Sequence, residues 1–179
     1  MRVRVHQHVN PLAPFFRVAP APLEIEKVFA RPTLPLHLDI GSARGRFLLK
    51  MAMLDAQQNF LGVEIRAPLV AEANRLAREV NLTNLHYEFC NASYAIDKFL
   101  ENLPADVLQT VTVQFPDPWY KKKHAKRRMV NENIVETIVR HLKDAGRIFV
   151  QTDVDFLAEE MFAIFRENGN LREIETNEN

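Results

Sequence analysis

The stretch Val107-Leu-Gln-Thr-Val-Thr-Val-Gln-Phe115-Pro-Asp-Pro-Trp-Tyr-Lys-Lys-Lys-His-Ala-Lys-Arg-Arg128 decides how this chain is read. Apolar and β-branched residues dominate Val107 to Phe115 and predict a buried strand. Asp117 then falls just past the strand's carboxyl end, where open α/β sheets place their ligands. Pro116 and Pro118 remove backbone donors and narrow φ on both sides of it. Six basic residues follow within eight positions: Lys121, Lys122, Lys123, Lys126, Arg127 and Arg128. No acid occurs between Asp117 and Glu132. An anionic point beside a cationic strip points to chemistry on a polyanion, with Asp117 near the reaction and the strip on phosphates.

Outward from that stretch, strand and helix patterns alternate. Leu34 to Ile40 alternates as a strand, and Gly41-Ser-Ala-Arg-Gly45 is a turn leading to a helix over Phe47 to Leu54. Phe60 to Ile65 is a second strand, followed by a helical stripe from Pro68 to Val80. Leu85 to Phe89 is a third strand, and Ser93 to Leu103 a helix stopped by Pro104. After the basic strip, Ile134 to Leu142 repeats at helical spacing and is closed by Gly146. Arg147 to Gln151 is a fifth strand, Leu157 to Phe165 a last helix, and Leu171 to Glu175 the start of a sixth strand. Five alternations imply an α/β fold, a mostly parallel sheet with helices on both faces. Residues 1–33 lack periodicity and are proline-rich; they predict an irregular arm, anchored by Phe15 and Phe16, on one domain spanning 34–179. Within the arm, His8, Asn10 and Pro11 are more simply a turn than part of a site.

The first strand and its turn read His37-Leu-Asp39-Ile-Gly41-Ser-Ala-Arg-Gly45-Arg46. Glycine here lets backbone approach a ligand at a helix amino terminus. A dinucleotide fingerprint needs glycines where this chain has Ala43 and Arg46, which counts against a nicotinamide dehydrogenase. Asp39, two residues before Gly41, suits a ligand with an ammonium end and no pyrophosphate; S-adenosylmethionine is one. Glu64, ending the second strand, can accept both hydroxyls of a ribose. Asn91, after the third strand, either reads an adenine edge or makes a turn. Trp119 either stacks on a base or pins the proline-rich turn. Asp153, after the fifth strand, either reaches the same pocket or caps a helix.

Composition narrows the field. The chain has 179 residues, 47% hydrophobic and 26% charged, which is ordinary for one globular domain. Net charge is zero, yet outside the strip 17 basic residues face 23 acids, so positive charge is concentrated locally. The single cysteine, Cys90, excludes an internal disulfide and a cysteine zinc site, and its strand setting predicts an inert core thiol. No metal is expected. Met1-Arg-Val-Arg-Val-His-Gln-His8 contains no secretory h-region, and no apolar run approaches a bilayer span; neither membrane nor export is expected, and the cytoplasm is the default.

Phe115-Pro-Asp-Pro-Trp-Tyr-Lys-Lys-Lys-His-Ala-Lys-Arg-Arg128 resembles the signature of the tRNA guanine-N7 methyltransferases. Asp39 to Gly45 is similar to their cofactor loop, Gly62-Val-Glu64-Ile to their ribose-binding segment, and Thr152-Asp153 to their later substrate acid. His8-Val-Asn-Pro-Leu12 resembles some members as well. The resemblance covers most of the chain. It implies a Rossmann-like class I fold that transfers methyl from S-adenosylmethionine to a variable-loop guanine of tRNA. It implies cofactor contacts from Asp39, Gly41, Gly45, Glu64, Asn91 and Asp117, with Asp117 also catalytic. It implies substrate or RNA contacts from Lys121, Lys123, His124, Lys126, Arg127, Arg128 and Asp153. Three departures stand out. Asp39 replaces the family's usual Glu, Ala43 replaces a usual glycine, and nothing before Asn179 matches the family's final hairpin with its Thr-x-x-Glu segment. That hairpin is expected to be missing or incomplete. Two other readings remain: an RNA-binding module on a retained fold, and an amino-methyltransferase acting on another nucleic acid or a protein.

Overall fold

A computed structural model describes residues 9–174. After a 3-10 turn at Pro14–Phe16, the elements are α1 (Ile25–Val28), β1 (Leu36–Ile40), α2 (Arg46–Leu54), β2 (Asn59–Glu64), α3 (Ala67–Glu79), β3 (Leu85–Phe89) and α4 (Ala92–Leu100). Then come β4 (Leu108–Gln114), a 3-10 segment at Lys122–Arg127, α5 (Glu132–His141), β5 (Leu142–Gln151) and α6 (Asp155–Glu167). The five strands are ordered β3-β2-β1-β4-β5, every neighbouring pair parallel. The order reverses between β1 and β4, so a crevice is expected at their carboxyl ends. None of the described helices is long and apolar enough to cross a membrane.

Strand alternation separates two cores. Leu36, Leu38 and Ile40 face one side with Leu61, Val63, Val111 and Val113, against buried side chains of α4, α5 and α6. His37 and Asp39 alternate to the opposite face. There Phe60, Leu85 and Tyr87 pack against Leu48 and Ala52 of α2 and Val70, Ala73 and Ala77 of α3. Asn131 caps α5 by accepting the Ile134 N–H at 3.1 Å.

Most bounds fall within a residue or two of expectation; four differences matter. β1 begins at Leu36, after Pro35, not at Leu34. α4 ends at Leu100, and a turn closed by Leu103 N–H on the Leu100 carbonyl carries the chain to Pro104. Leu142 belongs to β5, not to the preceding helix. It pairs with Leu108 before the register jumps to Thr110↔Arg147, so residues 143–146 bulge out with Ala145 at φ +58°. Leu171 to Ile174 form no strand; Glu175 lies outside the described residues.

The arm is also anchored differently. Phe15 is 79% exposed and Phe16 half-buried, whereas Leu23, Ile25 and Phe29 enter the main core. A one-turn helix turns Ile25 and Phe29 inward together, while among the described residues Phe15 has only Phe16 as a ring neighbour. Asn10 accepts the Leu12 N–H in a turn, and His8 lies outside the described residues.

Candidate functional site

One row of residues crosses the sheet at the strand reversal. The register pairs Thr112 of β4 with Asp39, Asp39 with Gly62 of β2, and Gly62 with Tyr87 of β3. A Cβ at Gly62 would lie 2.4 Å from the Tyr87 ring, so only glycine lets that ring lie across β2. The Tyr87 hydroxyl then donates to the Gly45 carbonyl at 2.5 Å and props the loop after β1. Gly45 sits at φ +70° as the residue before α2, close against the same ring. Gly41 has φ +85°.

Ala43, standing where the resembled family has glycine, still adopts φ +50°. That conformation costs roughly 1–2 kcal/mol for an L-residue. It directs the Ala43 N–H onto Glu64 Oε2 at 2.9 Å. Arg44 pairs with Glu72 of α3 at 2.9 Å and ties the loop down from outside.

Both acids at the β1 and β2 tips are buried, Asp39 at 4% and Glu64 at 3% exposure. Thr112 Oγ1 donates to Asp39 Oδ1 at 2.6 Å. Burial raises the Asp39 pKa; the bonds from Thr112 and Gln114 oppose the shift, and the Glu64 charge adds to it. Glu64 Oε1 accepts from the Arg66 backbone N–H at 3.0 Å and Nε at 2.8 Å, and Oε2 accepts from Arg66 Nη2 at 2.9 Å. With Ala43, these four donors fill the roughly four lone-pair positions of a carboxylate. The bond to Glu64 raises the Arg66 pKa, and the charge of Asp117 raises it further. Asp39, Glu64, Arg66 and Asp117 therefore share one electrostatic neighbourhood at the crevice.

The β4 tip is built otherwise. Phe115, before a proline and 56% exposed, holds φ +48°, and Trp119 holds φ +45°. Non-glycine residues held there store about 1–3 kcal/mol each. The Phe115 N–H is tied to the Gln151 carbonyl at 2.7 Å. Between these two residues Asp117 is half-buried, and its Oδ1 accepts the Trp119 N–H at 3.3 Å. Trp119 has partners inside the turn. The Arg127 guanidinium lies 4.9 Å over its ring and His124 meets it edge-on at 5.6 Å. These contacts are those that turn pinning requires.

Within the basic strip, lysines and arginines separate. Lys121, Lys122, Lys123 and Lys126 are exposed. Arg128 is engaged inside the protein. Its Nε donates to the Pro118 carbonyl at 2.9 Å, it pairs with Glu160, and it lies 5.1 Å over the Phe156 ring. Asn91 donates its amide to the arm carbonyls of Pro11 at 2.8 Å and Phe16 at 3.0 Å, clamping arm to crevice edge. Asp153 is exposed and caps no helix: Val154 precedes α6, and its N–H goes to Thr152 Oγ1 at 3.3 Å. Cys90 is buried, its thiol pushed up to about 12 by burial. Among the described residues no group of three or more His, Cys, Asp or Glu could hold a metal.

Sequence reasoning missed Thr112, His37, Gln114 and Arg66. The first three break the apolar runs of buried strands, which was a visible signal. Arg66 had none, because its role depends on how the chain turns after β2.

Residues 33–179 match a family described as putative methyltransferase. The chain is 49% identical over 176 residues to a tRNA (guanine-N(7)-)-methyltransferase of Trichormus variabilis, covering 98% of this chain and 82% of that one. It is 51% identical over 153 residues to a tRNA (guanine-N(7)-)-methyltransferase of Synechococcus elongatus, covering 86% and 72%. Among solved structures, precorrin-6y C5,15-methyltransferase from Geobacter metallireducens shares the fold with TM-score 0.57 at 13% identity, over 75% of this chain and 62% of that one. The β3-β2-β1-β4-β5 sheet, the acids gathered at its reversal and relatives at half identity over nearly the whole chain agree, and the chain belongs to the tRNA (guanine-N(7)-)-methyltransferase family.

Proposed function

We propose that this chain transfers the methyl group of S-adenosylmethionine to N7 of a variable-loop guanine in tRNA, in the cytoplasm. The observation that carries the reading is the gathering of Asp39, Glu64 and Asp117 at one crevice whose far lip continues into exposed lysines. Asp39 suits the ammonium end of the cofactor. Glu64 suits the ribose, whose hydroxyls would take over acceptor positions that the Arg66 side chain fills. The loop from Gly41 to Gly45 brings backbone close to both, and Asn91 borders the adenine end through the arm that it clamps.

When bound, the cofactor supplies an electrophilic methyl carbon already activated by its sulfonium charge. Guanine N7 has an available lone pair at neutral pH, so the chain need not supply a general base. Its contribution is alignment, which can be worth up to ~7–11 kcal/mol, and a field matched to moving charge. Positive charge passes from sulfur to the guanine ring. Asp117 favours that passage and hydrogen-bonds the base; such a group contributes roughly 3–4 kcal/mol. The twisted backbone at Phe115 and Trp119 fixes where its carboxylate points. Lys121, Lys123 and Lys126 hold phosphates, His124 and Arg127 stiffen the turn around Trp119, and Asp153 meets the substrate from the β5 side.

Incubation of the chain with labelled S-adenosylmethionine and unmodified tRNA, followed by mapping of the label, tests this. Label at guanine N7 in the variable loop is the expected result. Label on an exocyclic amine would favour an amino-methyltransferase, and cofactor-independent RNA binding without label a binding module.

A further inference from the structure

The row that carries Asp39 continues into the protein. His37 lies two residues earlier on the same face of β1, and its Nε2 is 3.1 Å from Thr112 Oγ1. Thr112 has one hydroxyl proton and gives it to Asp39 at 2.6 Å. It can therefore only accept from His37, so the ring proton sits on Nε2. His37, Thr112 and Asp39 are all at most 5% exposed. The ring is flanked by Phe47 of α2 at 5.8 Å and Phe60 of β2 at 5.6 Å, which leaves it little room to turn. Burial lowers the His37 pKa to about 4, so the ring is neutral at physiological pH and serves as a donor, not a charge.

Valine at 112 and leucine at 37 would fill the same space without the desolvation that buried polar groups incur. The polar pair gains a physical purpose if its bonds end on Asp39. We propose that Thr112 and His37 are positioning residues for cofactor binding, a two-link buried chain that acts beside the Gln114 bond to hold the Asp39 carboxylate in the orientation that receives the cofactor's ammonium group. This rests on the reading that Asp39 meets the cofactor. Asp39 is one methylene shorter than a glutamate, so its reach is small and its orientation matters more.

The test uses the full chain, with S-adenosylhomocysteine titrated by calorimetry and cofactor KM and kcat measured on tRNA. Thr112→Val keeps the shape and removes the hydroxyl. It should weaken binding about tenfold and raise KM for the cofactor similarly, with a much smaller fall in kcat. Thr112→Ser restores the donor and should bind within about threefold of the parent. In an Asp39→Asn background, Thr112→Val should add less than about twofold, because its effect passes through that carboxylate. Parental affinity in Thr112→Val, an undiminished tenfold loss in the Asp39→Asn background, or equal loss in Thr112→Ser and Thr112→Val would each overturn the proposal. Should Thr112→Val not fold, the Thr112→Ser result and the His37→Gln pair with Asp39→Asn decide the same question. An Asp39→Asn variant with parental affinity would instead sink the cofactor reading itself. Weakened Asp39→Asn beside unaffected Thr112→Val would sink only the positioning chain.

Discussion

The two halves of the crevice are built on opposite principles. At the tips of β1 and β2 the acids are buried at 3–4% exposure and every visible oxygen bond is made by a neighbour in the fold. At the tip of β4 the backbone is twisted into left-handed φ at Phe115 and Trp119, every side chain from Phe115 to Lys123 except the buried Pro116 stands partly or fully in solvent, and lysines follow. The first half suits a small ligand bound the same way each time. The second suits a large polyanion that arrives by long-range attraction and must present one atom at an angle. On the proposed function, buried and bonded groups would decide affinity for the small ligand, and strained and exposed ones reaction and encounter with the large one.

The largest expected effect breaks the second half. Asp117→Ala should lower kcat by about 10²–10³-fold while leaving tRNA affinity within a few-fold, since the lysines remain. Single-turnover rates and filter binding on the same preparation measure both. Equal losses in the two would place Asp117 in RNA binding, and the contrast between the halves would blur.

The next effect belongs to the first half. His37 binds its proton at about 4 in the fold against an ordinary 6.5, so the unfolded chain binds more protons between those values. Stability contributed by the neutral ring is complete above pH 6.5 and is lost as pH falls toward 4, roughly 3 kcal/mol in all. The raised pKa of Asp39 works in the opposite sense and is common to parent and variant. Urea unfolding at pH 7.5 and pH 4.5 should show the parent losing more stability than His37→Gln over that interval. Parallel losses would mean that the ring is not held neutral.

Much of this arrangement was legible before any coordinates. Period-2 and period-3.6 patterns marked five strands and their helices, and a polar residue at each strand tip (acids at four, Asn91 at the third) followed from where those strands end. Side-chain partnership was not legible, because it joins residues far apart along the chain. Thr112 meets Asp39 across 73 positions and Asn91 meets Pro11 across 80. Periodicity also misled at Leu142, whose apolar character fits a helix stripe and a strand equally; pairing with Leu108 decided it. Phe15 looked like an anchor because it is aromatic, yet the arm is held by Leu23, Ile25 and Phe29 from farther along.

A smaller effect separates the two ligands. Glu64→Gln removes a charge but keeps an acceptor, so cofactor KM should rise about tenfold. The salt dependence of tRNA binding should stay parental, because Glu64 is buried and its hydrogen-bond partners among the described residues are Ala43 and Arg66, not the lysines of the strip. A changed salt slope would show that Arg66, loosened from Glu64, enters the RNA surface and that the halves are coupled through it.

The finest comparison lies within the strip. Lys126 and Arg128 are two positions apart, yet one is exposed and the other braces the Pro118 carbonyl and pairs with Glu160. Lys126→Gln should weaken tRNA binding a few-fold and lower the log–log salt slope by ~0.7–0.9, the signature of one phosphate contact. Arg128→Gln removes the same formal charge but no solvent-facing contact. Its loss should fall on the turn that carries Asp117, and so on kcat, with little change in slope. Binding isotherms at three or more salt concentrations, paired with single-turnover rates, resolve the two. If both variants lower the slope alike, Arg128 leaves Glu160 to meet phosphate when RNA arrives. The strip would then act as one cationic surface, not as a lysine face laid over an arginine brace.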